Sequence, residues 1–218
     1  MPLLAYCVME ATAAIEIPPA GVAGTRVEEM HEFGLRCCFC RFETREHLSR
    51  VPALESAYGF HQVLQALFRQ AAIIPFRFPT LLENADELRQ HVREHAPQYL
   101  EALHRLREMV QLEIHVGTNR VPEKASQAAS GREYLQQRQA RAAELKATAE
   151  KFNQATRSWV VEWRERQADG GGMRCYALLR RDAVTSFQQA AQALCQRLPG
   201  TRLSGPWPPV EFLELKDF

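Results

Sequence analysis

The stretch that most constrains this chain lies near its end. Leu203-Ser204-Gly205-Pro206-Trp207-Pro208-Pro209-Val210-Glu211-Phe212 places three prolines within four positions. Each proline fixes φ at about −65° and removes a backbone donor. The residue before each proline is pushed towards extended geometry, so Gly205, Trp207 and Pro208 resist helix. A stiff, extended segment displaying Trp207 is the expected result. Such a segment loses little chain entropy on ordering, which suits a seam within the fold or a docking edge. By itself it does not point to catalysis.

The composition, 46% apolar and 24% charged, is that of a globular chain with a real core. Its 218 residues allow one or two compact domains. With 27 basic and 26 acidic residues the formal net charge is +1, which disfavours general binding to nucleic acid or an acidic membrane. No apolar run has the length needed to span a bilayer. The first ten residues lack a basic leader region and read as a buried strand, not a signal peptide.

Periodicity then sets out the elements. Residues 3–9, 25–29 and 35–43 read as strands, and residues 44–50 as a helical turn. Across 56–72, Phe60, Val63, Leu64, Leu67, Phe68 and Ala71 recur at helical spacing, with His61 as a partnered histidine at the core edge. Ile73-Ile74 runs into Pro75, a switch to extended chain. Asn84 and Glu87 form a capping box. The helix behind it buries Leu88 and Val92, and Pro97 ends it or opens another bearing Tyr99, Leu100, Leu103 and Leu106. Val110, Leu112, Ile114 and Val116 alternate with Gln111, Glu113 and His115 as a half-buried strand.

A polar loop is expected over 117–129, then a capping box of Ser130 and Glu133 before one long helix over 131–168. Leu135, Ala142, Leu145, Ala149, Phe152, Thr156, Trp159 and Trp163 form its near-heptad seam. The second half should pack on a sheet and the first half project. Asp169-Gly170-Gly171-Gly172 turns the chain into a strand over 175–179. Asp182 then caps a helix carrying Val184, Phe187, Ala191, Leu194 and Leu198, and 201–204 is a last strand. The predicted fold is α+β in two domains, 1–108 and 109–218, each a small, mainly antiparallel sheet with helices packed on it.

Two clusters suggest metal chemistry. His91-Val92-Arg93-Glu94-His95 matches H-x-x-E-H, in which two histidines four apart share a helix face with a glutamate beside them as a base. A zinc-dependent hydrolase using His91, Glu94 and His95 is therefore the alternative function. Against it stand the polar neighbours Arg89, Gln90 and Arg93, the nearby Pro97 and the lack of an identifiable third ligand. In Cys37-Cys38-Phe39-Cys40, strand geometry puts Cys38 and Cys40 on one face and Cys37 on the other. Cys37 and Cys40 have CxxC spacing but fall on opposite faces, and with no second Cys/His cluster at zinc spacing and no export signal the six cysteines read as reduced and apolar in role.

Four motifs in order carry a family resemblance: Gly59-Phe60-His61-Gln62-Val63-Leu64, Ile74-Pro75-Phe76-Arg77-Phe78-Pro79-Thr80, Gly131-Arg132-Glu133-Tyr134-Leu135 with Arg138, and Gly205-Pro206-Trp207-Pro208-Pro209. The chain resembles the gas vesicle GvpL/GvpF family over most of its length. It departs at Pro79, where the family has glycine, so the turn after Phe78 must be built differently. It departs again at Val210-Glu211, where Tyr-Ser is usual.

The resemblance implies a ferredoxin-like C-terminal domain and a non-enzymatic accessory or minor structural role in gas vesicle assembly. It implies binding to the major shell protein GvpA, with other vesicle accessory proteins as further partners, and no cofactor, metal, nucleic acid or bilayer. The implied location is cytoplasmic, associated with gas vesicles. The expected partner-binding residues are Arg77, Phe78, Tyr134, Arg138 and Trp207. Phe78 and Trp207 would act as apolar anchors, Arg77 and Arg138 as hydrogen-bonding clamps. A third reading is a scaffold that dimerises through the long helix.

Overall fold

The computed structural model describes residues 1–44, 46, 52–117, 131–168 and 171–214. Outside them lie most of the turn expected over 44–50, residues 118–130 of the expected loop and capping box, and Asp169-Gly170. The chain divides into two compact units, Met1–Glu108 with Trp207–Phe218, and Met109–Pro206. The tail therefore belongs with the first unit and not with the rest of 109–218. The cause is local: Phe212 is wholly buried, Leu213 packs on the first unit's core, and Arg105 donates to the Phe212 carbonyl at 2.6 Å.

In the first unit, β1 (Leu3–Glu10), β2 (Val27–Glu32), β3 (Leu35–Arg41) and β4 (Ile74–Pro75) form a sheet in the order β2-β3-β1-β4, with β5 (Leu81–Leu82) also pairing β1. All its pairings are antiparallel. Helices cover both faces, so β1 and β3 are apolar on both sides. Helix α1 (Ala53–Phe68) lies on one face, where Phe60 stacks on Tyr6 at 5.1 Å between ring centroids. Helix α2 (Ala85–Leu106) lies on the other, closing a core of Leu3, Ala5, Val8, Leu35, Cys37 and Phe39 against Leu88, Val92, Ala96, Tyr99 and Leu103.

Helix α2 runs unbroken through Pro97, where the sequence suggested an end. Proline frees the carbonyl four residues earlier, but Arg93 and Pro97 lie on the exposed side, where water can satisfy it. The buried stripe continues across the proline and holds the helix together. At the helix start, Asn84 accepts from the Asp86 and Glu87 amides at 2.9 and 3.0 Å. Glu87 reaches back to the Glu83 amide at 2.6 Å, one residue before the cap.

The second unit contains β6 (Met109–Val116), α3 (Gly131–Thr156), β7 (Val160–Gln167), β8 (Met173–Arg180), α4 (Val184–Arg197) and β9 (Thr201–Trp207), the last strand ending at the unit boundary. Strand order is β7-β8-β6-β9, the ferredoxin-like arrangement of a β-α-β-β-α-β chain. Helix α3 packs on β6, β8 and α4. The expected helix over 131–168 is corrected: it stops at Thr156, and Val160–Gln167 is a strand paired antiparallel with β8. Leu145, Ala149, Phe152 and Thr156 form the buried seam, but beyond Thr156 the β-branched pair Val160-Val161 favours a strand. The first half of α3 is exposed, as its polar sequence predicts. Asp182 does not cap α4; it sits in a single 3₁₀ turn, Arg181–Ala183, that leads into the helix.

All six cysteines are free, and only Cys195 is not buried. Burial pushes the Cys37 thiol up to about 12, Cys40 to about 11 and Cys175 to about 12. These are inert packing groups.

Candidate functional site

Two of the expected contact residues meet on one helix. Residues 74–80 run along β1 and leave its ladder in the middle: the Phe76 amide bonds the Tyr6 carbonyl at 2.8 Å, and the Ala5 amide bonds the Thr80 carbonyl at 3.1 Å. Arg77, Phe78 and Pro79 are thrown out between these anchors. Thr80 Oγ1 closes the excursion by donating to the Arg77 carbonyl at 2.6 Å. Arg77 and Pro79 are exposed, and the Phe78–Pro79 peptide is cis. Phe78 turns inward and its ring lies 5.1 Å from that of Phe60 on α1.

Trp207 arrives at the next residue of the same helix. Its ring meets His61 edge-on at 5.2 Å. Gly205 holds φ at +109°, a conformation side chains disfavour, just ahead of Pro206 and Trp207. Pro208 and Pro209 behind it are buried. The outer side of α1 carries Leu54, 85% exposed, and Tyr58, 63% exposed. With His61 these fall at spacings of four and three, one stripe on the helix surface. The outcome is an exposed stripe of Leu54, Tyr58 and His61 with Trp207 at its His61 end, while Phe78 packs on the inward-facing Phe60 of the same helix.

Sequence reasoning missed Leu54 and Tyr58. The helix was expected from residue 56, whereas it starts at Ala53; a second stripe opposite Phe60 was the available signal. Tyr134 and Arg138 lie in the other unit, both exposed on the first half of α3 beside the exposed Leu135.

The H-x-x-E-H motif is arranged for packing. His91 Nε2 lies 2.7 Å from Tyr99 Oη, and His95 Nδ1 donates to the His91 carbonyl at 2.8 Å. The two rings stack at 4.4 Å. Glu94 accepts from Gln90 at 3.0 Å. Burial, and then the neighbouring His95, lower the His91 pKa. No cluster of three metal-ligating side chains exists among the described residues, and nothing supports a zinc hydrolase.

A model of the gas vesicle synthesis protein GvpL/GvpF family matches residues 2–214. The chain belongs to that family. Two crystal structures are similar to it over nearly their full lengths. GvpF from Anabaena sp. PCC7120 is 11% identical with a TM-score of 0.77, covering 99% of this chain and 97% of that one. GvpF from Microcystis aeruginosa is 14% identical with a TM-score of 0.77, covering 98% and 99%. At these identities the likeness concerns the fold. No curated protein matches the chain. Among the described residues no helix is long and apolar enough to cross a membrane.

Proposed function

We propose that this family member is a non-enzymatic assembly protein that binds the major shell protein GvpA through the outer side of α1. The reading rests on one observation above all: Trp207 meets His61 in line with the exposed Leu54 and Tyr58 on the outer side of α1, a helix that Phe78 braces from within through Phe60. A shell subunit that must leave water for a gas-facing wall exposes apolar surface beforehand, and a partner that covers it needs exposed apolar anchors. Leu54 and Tyr58 supply them, with the half-buried Trp207 beside His61 and the exposed Arg77 as a nearby cation. Tyr134 and Arg138, with Leu135, form a second contact region on α3, for GvpA or another vesicle accessory protein. The protein works in the cytoplasm at nascent vesicles.

The test is co-expression with GvpA followed by pull-down, using wild type, Leu54→Ser/Tyr58→Ser, Phe78→Ala/Trp207→Ala and Tyr134→Ala/Arg138→Ala. Circular dichroism verifies that each variant is folded. Loss of two exposed anchors should weaken capture about tenfold or more. No capture by wild type overturns direct binding. Capture undiminished by Leu54→Ser/Tyr58→Ser removes the α1 site. Capture undiminished in a folded Phe78→Ala/Trp207→Ala variant returns that pair to a purely structural role.

A further inference from the structure

The second sheet ends on β7, whose only strand neighbour among the described residues is β8. Among the described residues no further strand pairs the other side of β7, and such a sheet edge is a template for another strand. Protected edges carry prolines or charges that repel a copy of themselves. Strand β7 reads Val160-Val161-Glu162-Trp163-Arg164-Glu165-Arg166-Gln167, without proline and with charges of alternating sign. Val161 is 60% exposed, and Glu165, Arg166 and Gln167 are exposed.

We propose that β7 pairs antiparallel with β7 of a second copy of this chain, about a two-fold axis at Trp163, so that two four-stranded sheets become one. The charges choose this register, and the bulge between Val160 and Glu162 disfavours a centre at Val161. Pairing with β8 places Glu162 and Arg164 opposite Leu178 and Tyr176, on one face, and Trp163 and Glu165 opposite Ala177 and Cys175, on the other. A symmetric strand pair that keeps each face continuous must be centred on a residue. Centred on Glu162, Arg164, Glu165 or Arg166, it sets that charge directly against its own copy. Centred on Trp163, it sets Glu162 against the second copy's Arg164, twice by symmetry, and lays the two indoles side by side.

Directly opposed like charges destabilise a strand pair, whereas opposite charges and aromatic pairs stabilise it. Glu162 already bonds Arg164 of its own strand at 2.6 Å, and Trp163 Nε1 donates to Glu165 at 3.0 Å. These bonds hold the charged and aromatic groups in place for the second strand. The contact is closed, since one two-fold axis uses both edges and leaves none to extend.

Light scattering across a concentration series reads the mass. Wild type should double in mass as concentration rises. Glu162→Arg and Arg164→Glu each create two like-charge pairs and should weaken the dimer about tenfold or more. The double variant restores both pairs and should recover it. Independently, Trp163→Cys places two thiols across the axis within disulfide reach, and mild oxidation should cross-link it. Arg166→Cys, opposite Val160 in this register, should remain uncross-linked, as should wild type. A monomeric mass up to about 100 µM with no Trp163→Cys cross-link overturns the proposal. A dimer indifferent to Glu162→Arg and Arg164→Glu removes the β7 seam, and a folded double variant that fails to recover overturns the register.

Discussion

Gly21→Ala adds one methyl group where the fold has no space for it. A Cβ on Gly21 would collide with Tyr6 Oη and stand 3.0 Å from Tyr6 Cζ. The backbone is no obstacle, since φ at Gly21 is −120°. The obstacle is Tyr6, which is wholly buried, donates to Cys40 Sγ at 3.4 Å, accepts from the Val22 amide at 2.9 Å and stacks on Phe60. Overpacking a core costs about 1–3 kcal/mol. Displacing the hydroxyl also leaves the Val22 amide without its partner, a further cost of about 1–3 kcal/mol. The expected loss is about 2–6 kcal/mol, or a urea midpoint lower by about 1–3 M at a slope of about 2 kcal/mol/M.

Tyr6→Phe removes the colliding atom at the cost of the same hydrogen bond. The two changes should therefore be less than additive, with a coupling of at least about 1 kcal/mol. Two units can unfold separately, so the measurement needs a reporter in the first. Of the three tryptophans, Trp207 alone belongs there; a Trp159→Phe/Trp163→Phe background isolates its fluorescence. A Gly21→Ala variant within about 0.5 kcal/mol of that background, or strict additivity with Tyr6→Phe, would refute the reasoning.

Asn84→Ala removes the acceptor of two amide bonds at the start of α2 and should cost about 1 kcal/mol in urea unfolding; no change would mean that the cap is idle. In the native protein Cys195 should react with a thiol reagent first, while Cys7, Cys37, Cys38, Cys40 and Cys175 stay protected until unfolding, as mass mapping of labelled sites would reveal. The lowered pKa of His91 has a definite sign. Below the ordinary histidine value of about 6.5 the unfolded chain binds a proton that the folded chain resists, so this contribution to stability is lost as pH falls through the lowered folded value. His95 stacked on it adds to the effect, and Glu94 opposes it. His91→Gln should narrow the gap between urea midpoints at about pH 7.5 and about pH 5.5, and an unchanged gap would place the acid sensitivity elsewhere.

Local pattern carried much of the architecture. The alternation around Val110–Val116 marks β6 because one face of that strand is buried and the other is polar. The end of α3 was not legible because Trp159 and Trp163 fit both a heptad seam and a strand, and pairing with β8 decides between them. Pro97 misled because its effect depends on which side of the helix faces water. At the candidate site, Arg77, Phe78 and Trp207 stand in conspicuous motifs. Their meeting with Phe60 and His61 is a tertiary fact, joining positions far apart in sequence that no periodicity connects. Leu54 and Tyr58 are informative only because they are exposed, and exposure belongs to the folded chain.

The tail that crosses back has a consequence for biosynthesis. Phe212 and Leu213 are built into the first unit's core, and Arg105 holds the Phe212 carbonyl. A ribosome releases Met109–Pro206 before it releases those residues, so the second unit has its whole sequence available first. The first unit, although begun earlier, remains unfinished until the whole second unit has been made. If the α1 surface does receive a sticky shell subunit, that surface becomes complete only after the second unit has emerged, which guards against engagement by shorter nascent fragments.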